Sequence, residues 1–313
     1  MDFILLTGFL GSGKTTLIAD FLKRPEAADT AVIVNEVGEI GLDGAILAES
    51  TDIPIAMLSN GCLCCSLAGD LEQTVEAVVD ARRDGPPLAR IILETSGVSK
   101  PGPILRSLAG LAPLRLRVGV VATVDCRAAA ATAGFEEAAA QWASAQTLVF
   151  TKCDIASAAE HRQAREVAIG INPVAELIDT EDRDAAVGAA FTFRQGGAAV
   201  SPLPSGLAHP RMQALLARPD GTISWDELAE WLDNLAGLCG ERLLRVKGVV
   251  RLADRAQPVL VQSVGTLFSA PRPFRELGGE PSFLVVIVRD TDPAELAGVL
   301  PSLPLSFTRL GRA

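Results

Sequence analysis

The chain has 313 residues, of which 49% are hydrophobic and 21% are charged, and these ordinary proportions exclude wholesale disorder or a collagen-like structure. Its 28 basic and 38 acidic residues give a formal net charge of -10, the wrong sign for a protein that binds nucleic acid by neutralising phosphates. At about 150 residues per domain, the length predicts two domains.

The apolar runs of the sequence are short. The longest, such as 283–288, fall well below the roughly 20 residues of a membrane-spanning helix. Asp2 stands where a signal peptide carries positive charge, and Gly8 closes the first apolar run, at 3–6. The sequence therefore predicts a soluble, cytoplasmic protein.

The first part of the chain alternates buried strands with amphipathic helices. A strand at 3–6 is followed by a glycine-rich turn and by a helix over 14–22. Further strands are predicted at 31–34, 91–93, 118–124 and 147–150, with helices at 71–83 and 128–145. This alternation predicts an α/β domain with a parallel sheet, right-handed connections and helices on both faces.

A second domain is predicted after a stretch rich in glycine and proline at 195–210, which is typical of a linker. Ser224-Trp225-Asp226-Glu227 matches a capping box at the start of a helix. Strands are predicted at 243–252, 259–264 and 283–289, then a short helix at 293–300. We place the boundary at about 205, which gives domains over 1–205 and 206–313, the second a smaller α+β domain.

The segment from Gly8 to Thr15 matches the pattern GxxxxGK[ST], and it lies between the first strand and the first helix, as the pattern requires. Backbone N–H groups of such a loop surround phosphate oxygens at the positive end of the helix. Lys14 would reach the β- and γ-phosphates, and the Thr15 hydroxyl would ligate Mg²⁺. The predicted phosphate-binding residues are Gly8, Gly11, Ser12, Gly13, Lys14, Thr15 and Thr16.

Two further strand ends carry candidate nucleotide-binding residues. Thr151-Lys152-Cys153-Asp154 follows the 147–150 strand, where P-loop GTPases carry an [N/T]KxD loop, and Asp154 can accept from the N1–H and N2 donors of guanine. Asn172 falls where a second base-contacting loop is expected. Glu94 begins Glu94-Thr95-Ser96-Gly97 after the 91–93 strand and would orient Mg²⁺. The predicted nucleotide is GTP. Thr151 and Lys152 are also predicted to bind its guanine base.

The six cysteines include three within four positions, Cys62, Cys64 and Cys65. In a reducing compartment this clustering favours metal over disulfides. Three sulfurs leave one coordination position of zinc open, which suits metal transfer; a structural zinc completed by a distant ligand is the alternative. We interpret Cys126, Cys153 and Cys239 as buried small hydrophobic residues, and His161 and His209 as surface residues.

An acidic segment at 35–43 follows the second strand, where a switch loop would reach the γ-phosphate and Mg²⁺. Its carboxylates could bind Mg²⁺, complete the thiolate site or position the attacking water. The candidate catalytic residues are Lys14, Glu36, Asp43 and Glu94. The candidate metal ligands are Thr15, Glu36, Glu94, Cys62, Cys64 and Cys65.

Taken in order, GFLGSGKTT, VNEVGEIGLD, NGCLCC, ETSG, TKCD and NPVA resemble the CobW family of P-loop GTPases, which is related to HypB and UreG. Leu244-Arg245-Val246-Lys247-Gly248 followed by Gln262 resembles the family's C-terminal domain. The resemblance implies a P-loop GTPase domain, Mg²⁺-GTP on Gly8 to Thr16, and a transferable metal on the CxCC motif, zinc first and Co²⁺ or Fe²⁺ next. It also implies a client metalloprotein as partner, and this chain lacks the histidine-rich stretch of many members.

Our hypothesis is that the γ-phosphate draws the acidic segment inward and orders the cysteine turn, so that nucleotide state sets metal affinity. A 5- to 150-fold change in affinity corresponds to roughly 1 to 3 kcal/mol. The alternatives are a P-loop kinase or ligase with structural cysteines and a non-catalytic zinc or redox sensor. The metal delivered, the client, the water-activating group and a nucleotide- or metal-dependent homo-oligomer stay open at this point.

Overall fold

The structure is a computed structural model that describes residues 1–35, 55–57, 67–83, 85–192, 209–274, 282–303 and 305–310. Two predicted features lie outside these residues: the acidic segment with Glu36 and Asp43, and the cysteine turn with Cys62, Cys64 and Cys65. The chain divides into two units, one of Met1–Arg165 with Glu176–Gln195 and one of Glu166–Ala175 with Gly196–Ala313. The boundary near 205 also lies outside the described residues and stays a prediction.

The first unit is built on a seven-stranded sheet in the order β3-β2-β4-β1-β5-β6-β7, in which every neighbouring pair is parallel. The strands are β1 (Asp2–Gly8), β2 (Thr30–Val34), β3 (Ile55–Met57), β4 (Arg90–Glu94), β5 (Arg117–Asp125), β6 (Thr147–Thr151) and β7 (Glu176–Ile178). The predicted strands are confirmed; β3 and β7, three residues each, were not predicted. Because both faces of a parallel sheet are buried under helices, its strands are continuous apolar runs in the sequence.

The helices described over residues 1–195 are α1 (Lys14–Leu22), α2 (Leu67–Asp80), α3 (Pro101–Ser107), α4 (Ala129–Thr132), α5 (Glu136–Ser144), α6 (Ala158–Ile171) and α7 (Arg183–Ala190). The part of α6 from Glu166 onward belongs to the second unit. The predicted bounds of α1 are confirmed. The single helix predicted over 128–145 is wrong, because Phe135 has an extended backbone that separates α4 from α5. The helix predicted over 71–83 begins and ends earlier, as α2.

Apolar residues of the central strands and of α1 form the core on one side of the sheet. Ile4 and Leu6 of β1 pack with Ile18 and Phe21 of α1, and the Phe21 and Phe191 rings are 4.6 Å apart. On the other side Phe3 and Leu5 are fully buried as well. The rigid β1–α1 pair thus fixes the loop between them.

The second unit contains an antiparallel sheet in the order β11-β10-β9-β13-β8-β14, with β12 paired to β10. The strands are β8 (Met212–Pro219), β9 (Leu243–Val250), β10 (Val259–Val264), β11 (Leu267–Phe268), β12 (Arg272–Pro273), β13 (Phe283–Arg289) and β14 (Leu305–Arg309), and the helices are α8 (Trp225–Cys239) and α9 (Pro293–Ala297). The predicted strands and the capping box of Ser224 and Glu227 are confirmed. Four strands, β8, β11, β12 and β14, were not predicted, and α9 ends earlier than expected. The predicted fold class, a parallel-sheet P-loop domain with a smaller α+β domain, is confirmed.

The two faces of β9 differ in chemistry. Val246 and Val250 join the core that includes Trp231 of α8. Arg245, on the opposite face of the pleat, is 1% exposed. Its Nε and Nη1 have no hydrogen-bond partner in the described part of the chain, and burial lowers the pKa of Arg245 to about 9. Among the described residues, this buried guanidinium is therefore left without a partner at both Nε and Nη1.

Across the described ranges, every helix is too short or too polar to cross a bilayer.

Candidate nucleotide site and cysteine cluster

The loop between β1 and α1 has the backbone of a phosphate cradle. Gly8 (φ 148°) and Gly13 (φ 88°) have positive φ angles, which side chains disfavour. A Cβ on Gly8 would lie 2.0 Å from Thr123 Oγ1, so the loop is packed against β5. Gly13 is the N-cap residue directly before α1, and its conformation turns the loop onto the helix N-terminus.

The Lys14 side chain lies back along this loop. The residue is 8% exposed, and its Nζ donates to the carbonyl oxygens of Gly8 at 2.9 Å and Phe9 at 3.4 Å. The ammonium group is thus held beside the loop whose N–H groups would surround phosphate oxygens. This is the position that the sequence predicts for a β,γ-phosphate contact.

Thr15 and Glu94, both predicted Mg²⁺ ligands, are brought together. Glu94 ends β4, next to β1 in the sheet, and is 4% exposed. Thr15 Oγ1 donates to Glu94 Oε1 at 2.6 Å. A hydroxyl beside a carboxylate offers the hard oxygen atoms that Mg²⁺ prefers. The donor set therefore fits this ion.

Asn35 adds a polar group at the same sheet edge. Its backbone N–H donates to Glu94 O at 3.0 Å, and its side chain is 3% exposed. Neither polar atom of that side chain has a hydrogen-bond partner among the described residues. Because a buried amide without partners is costly, Asn35 suits contact with a ligand at this edge.

The loop after β4 touches the phosphate cradle directly. A Cβ on Gly97 would lie 2.7 Å from Leu10 N and 2.8 Å from Leu10 Cα. Gln141 of α5 holds this loop, because its Nε2 donates to the carbonyl oxygens of Gly97 at 3.1 Å and Ser99 at 2.9 Å. A side chain at position 97 would therefore collide with the cradle backbone at Leu10.

The predicted base-recognition loop is tied to the cradle and to β5. Thr151 Oγ1 donates to Ser12 O at 2.9 Å. Lys152, with a φ of 57°, pairs with Asp125 Oδ2 at 2.5 Å. Asp154 is exposed at the open end of this loop, where its carboxylate is accessible to a base.

Asn172 belongs to the segment that clusters with the second unit. It is buried, and its Oδ1 accepts from Val174 N at 3.3 Å. Its predicted base contact remains a prediction.

Three residues of the site were missed in the sequence: Asp125, which pairs with Lys152; Gln141, which holds the Gly97 loop; and Thr123, whose Oγ1 lies 2.6 Å from Ser12 Oγ. Asp125 carried a usable signal, because it directly follows the predicted 118–124 strand at the edge where the other site residues lie. Gln141 carried none, since a single glutamine in an alanine-rich helix is unremarkable.

Cys126 is buried as predicted, whereas Cys153 and His161 are half-buried, and the sequence analysis did not predict that the three residues meet. Their Sγ and ring nitrogen atoms all lie within 4.8 Å of one another, and the two sulfurs are 3.4 Å apart. The hydrogen bond between the sulfurs raises the pKa of the Cys126 thiol and lowers the pKa of the Cys153 thiol. His161 is hydrogen-bonded through Nε2 to the carboxylate of Asp179. Chain folding, not spacing, brings these residues together.

Cys239 and His209 are not part of this cluster. Cys239 is buried as predicted, at 3% exposure, and desolvation raises the pKa of its thiol. His209 is half-buried, and its Nδ1 accepts from Arg211 N at 3.2 Å.

A glycine cradle at a helix N-terminus, a lysine beside it and an oxygen pair for Mg²⁺, all at the carboxyl edge of a parallel sheet, define a P-loop nucleotide-binding protein. Residues 2–179 match the CobW/HypB/UreG nucleotide-binding domain, and residues 212–302 match the cobalamin synthesis protein cobW C-terminal domain. The chain belongs to the CobW family, as the sequence motifs indicate.

Relatives with assigned names cover most of the chain. The zinc chaperone YjiA of Escherichia coli is 29% identical over 276 residues, 85% of this chain and 86% of that protein. The zinc chaperone CobW of Sinorhizobium sp is 28% identical over 307 residues, 83% of this chain and 84% of that protein. A crystal structure of a Zn(II)-bound triple mutant of YjiA GTPase superimposes with a TM-score of 0.71 and 25% identity, over 97% of this chain and 99% of that one.

Proposed function

We propose that this protein is a GTP-hydrolysing metallochaperone, which binds zinc at the CxCC motif of Cys62, Cys64 and Cys65 and delivers it to a client metalloprotein in the cytoplasm. The observation that carries the nucleotide half of this proposal is the Thr15–Glu94 pair at 2.6 Å beside the glycine cradle. The names of the relatives support the zinc half, since two of them are zinc chaperones that match over more than four fifths of this chain.

In this proposal different residues of the chain bind the phosphates, the base and the Mg²⁺ of GTP. The cradle N–H groups and Lys14 hold the β- and γ-phosphates, and Asp154 accepts from the two guanine donors. Thr15 and Glu94 would hold Mg²⁺, which supplies positive charge at the β- and γ-phosphate oxygens. Water attacks the γ-phosphorus and the bond to the β–γ bridging oxygen breaks, which gives GDP, phosphate and a proton.

The cargo step rests on coupling between two sites. The acidic segment that contains Glu36 and Asp43 connects β2, whose last residues lie beside Glu94, to the part of the chain that carries the cysteines. A γ-phosphate contact on this segment would order the cysteine turn and raise its metal affinity. Hydrolysis would then release the metal to the client. By linkage, bound zinc must raise the affinity for GTP by the same factor.

The first experiment measures hydrolysis. We expect the protein to release phosphate from GTP faster than from ATP in the presence of Mg²⁺, and Lys14→Ala to reduce the rate by at least about 100-fold, the loss typical of removing a transition-state contact. Glu230→Gln, an exposed position on α8, serves as the control and should keep the wild-type rate. Preference for ATP, or turnover only with an organic acceptor, would favour a P-loop kinase or ligase instead.

The second experiment measures coupling. Zn²⁺ is titrated into the protein with a non-hydrolysable GTP analogue and with GDP at one pH, with a chromophoric chelator as competitor. We expect 5- to 150-fold tighter binding with the analogue, roughly 1 to 3 kcal/mol, and loss of this coupled site in Cys64→Ser. Equal affinities in the two nucleotide states would exclude the delivery mechanism.

A further inference from the structure

Three side chains with the donor atoms of a soft-metal site meet next to the base-recognition loop. Cys126 Sγ and Cys153 Sγ are 3.4 Å apart, and a ring nitrogen of His161 lies within 4.8 Å of both sulfurs. Two thiolates at about 2.3 Å from one tetrahedral Zn²⁺ are about 3.8 Å from each other. The sulfurs therefore need to separate only slightly to share one ion.

The backbone holds the two cysteines at this separation. Cys126 follows β5 and Cys153 lies just after β6, and Cys126 N donates to Thr151 O at 3.1 Å. The residues that precede the two cysteines are also paired, through Asp125 Oδ2 and Lys152 Nζ at 2.5 Å. Since these bonds fix both turns, metal binding would require little reorganisation of the chain.

His161 makes a hydrogen bond of the kind that supports metal-bound histidines. It projects from α6, with its ring edge on Phe150 at a centroid distance of 6.2 Å and an interplanar angle of 74°. Its Nε2 is hydrogen-bonded to the Asp179 carboxylate, which in turn accepts from Arg165 Nε at 3.1 Å. A carboxylate on one ring nitrogen is the usual outer contact of a histidine whose other nitrogen binds a metal.

The donor set selects the class of ion. Two sulfurs and an imidazole are soft or borderline ligands that favour Zn²⁺ over Mg²⁺ or Ca²⁺. Cys126 is 2% exposed, whereas Cys153 and His161 are half-buried, so one side of the cluster is accessible to solvent. Three protein ligands with an accessible side leave the fourth tetrahedral position to water.

We propose that Cys126, Cys153 and His161 form a zinc site of their own, separate from the CxCC motif, in which Asp179 positions His161. On binding, each thiol releases its proton to solvent and its sulfur donates an electron pair to Zn²⁺, so no oxidant or reductant is needed.

The test uses the full chain with Cys62, Cys64 and Cys65 all replaced by serine, purified under reducing conditions. This background should bind one Zn²⁺ per chain in competition with a chromophoric chelator. Co²⁺ in place of Zn²⁺ should give thiolate-to-metal charge-transfer absorption and the visible bands of tetrahedral Co²⁺. Failure of the background to bind either ion would overturn the proposal.

Variants in the same background assign the ligands. Cys153→Ser and His161→Asn should each abolish the Co²⁺ charge-transfer spectrum or reduce affinity at least 100-fold, and Asp179→Asn should weaken Zn²⁺ binding by about 10- to 100-fold. Cys239→Ser, which removes a buried cysteine outside the cluster, is the matched control and should bind as the background does. Circular dichroism confirms folding, and His161→Asn, at a half-buried position, gives a second readout if a cysteine variant misfolds.

Two results would contradict the site. One is equal zinc binding in the background and in the His161→Asn and Cys153→Ser variants. The other is a Cys126–Cys153 disulfide in the protein as isolated, found by mass spectrometry after alkylation of its free thiols without added reductant, because two oxidised sulfurs do not supply thiolates.

Discussion

Close contacts between single atoms determine which substitutions the nucleotide site can accept. The Gly97 Cα lies against the backbone of Leu10, and Thr15 Oγ1 lies 2.6 Å from Glu94 Oε1. Both contacts join elements that come from different parts of the chain. A change of one methyl group at such a contact therefore moves the phosphate cradle itself and not only a side chain.

Gly97→Ala tests this contact. Its Cβ would lie 2.7 Å from Leu10 N, and since backbone atoms cannot rotate away, the cradle or the Gly97 loop must shift. We expect kcat/KM for GTP to fall by about 10- to 100-fold, because displacements well below 1 Å disturb phosphoryl transfer. Steady-state phosphate release measures the effect.

Gly102→Ala is the matched control, because its Cβ would have only Arg106 Nη1 nearby, at 3.9 Å. Wild-type kcat/KM in Gly97→Ala would show that the loop after β4 can move without effect on the cradle.

At the scale of elements, the pleat of β9 determines which of its side chains face the core under α8 and which face the opposite side. Its alternate residues face the α8 core or the opposite side, and the second set includes Arg245. A buried charge without an ion-pair partner costs stability. Because burial lowers its pKa to about 9 from an unfolded value near 12.5, the penalty is present below pH 9 and decreases as the pH rises above it.

Arg245→Met should therefore stabilise the protein. Replacement of a buried charge by an apolar side chain of similar length is expected to raise the free energy of unfolding by about 1–4 kcal/mol at pH 7. The difference between Arg245→Met and the wild type should shrink between pH 9 and pH 10, since the folded wild-type protein then sheds the proton. Urea unfolding followed by tryptophan fluorescence, with Trp231 in the core on the other face of β9, measures both.

Arg218→Met, at an exposed position of β8, controls for the general loss of an arginine and should change stability little. A destabilised Arg245→Met protein would show that the guanidinium makes a stabilising interaction.

At the scale of the whole molecule, the phosphate cradle, Glu94 and the base loop all come from the first unit, Met1–Arg165 with Glu176–Gln195. The antiparallel sheet of the second unit has its own core around Trp231 and Leu235. A nucleotide that binds only the folded first unit should stabilise that unit by mass action.

Hydrogen exchange checks this division. With Mg²⁺ and GDP at 100 times the dissociation constant, slowly exchanging amides of β1 and β5 should slow by up to about 100-fold, equivalent to about 2.7 kcal/mol. Amides of β8 and β13 in the second sheet should exchange at unchanged rates. Equal slowing in both sheets would mean that the two units unfold as one cooperative body.

Local sequence patterns were sufficient to predict several elements of both units. The bounds of α1, the strands that carry Gly8, Glu94 and Thr151, and the capping box of α8 all follow from residues that are neighbours in sequence. The break at Phe135 between α4 and α5 was not predicted, although Gly134 precedes it, because the alanines on both sides favour a continuous helix. The edge strands β7 and β14 were not predicted either, since strands of three and five residues carry too little periodicity to stand out.

The sequence by itself determined the family, the phosphate loop and several of the strands and helices, because each is encoded by residues a few positions apart. Only the tertiary structure brought Cys126, Cys153 and His161 together and placed Asp125 on Lys152 and Gln141 on Gly97. It also buried Arg245 with Nε and Nη1 unpaired among the described residues. These contacts join residues separated by up to 44 positions, and such pairings are set by how strands stack in the sheet, which leaves no periodic trace in the sequence.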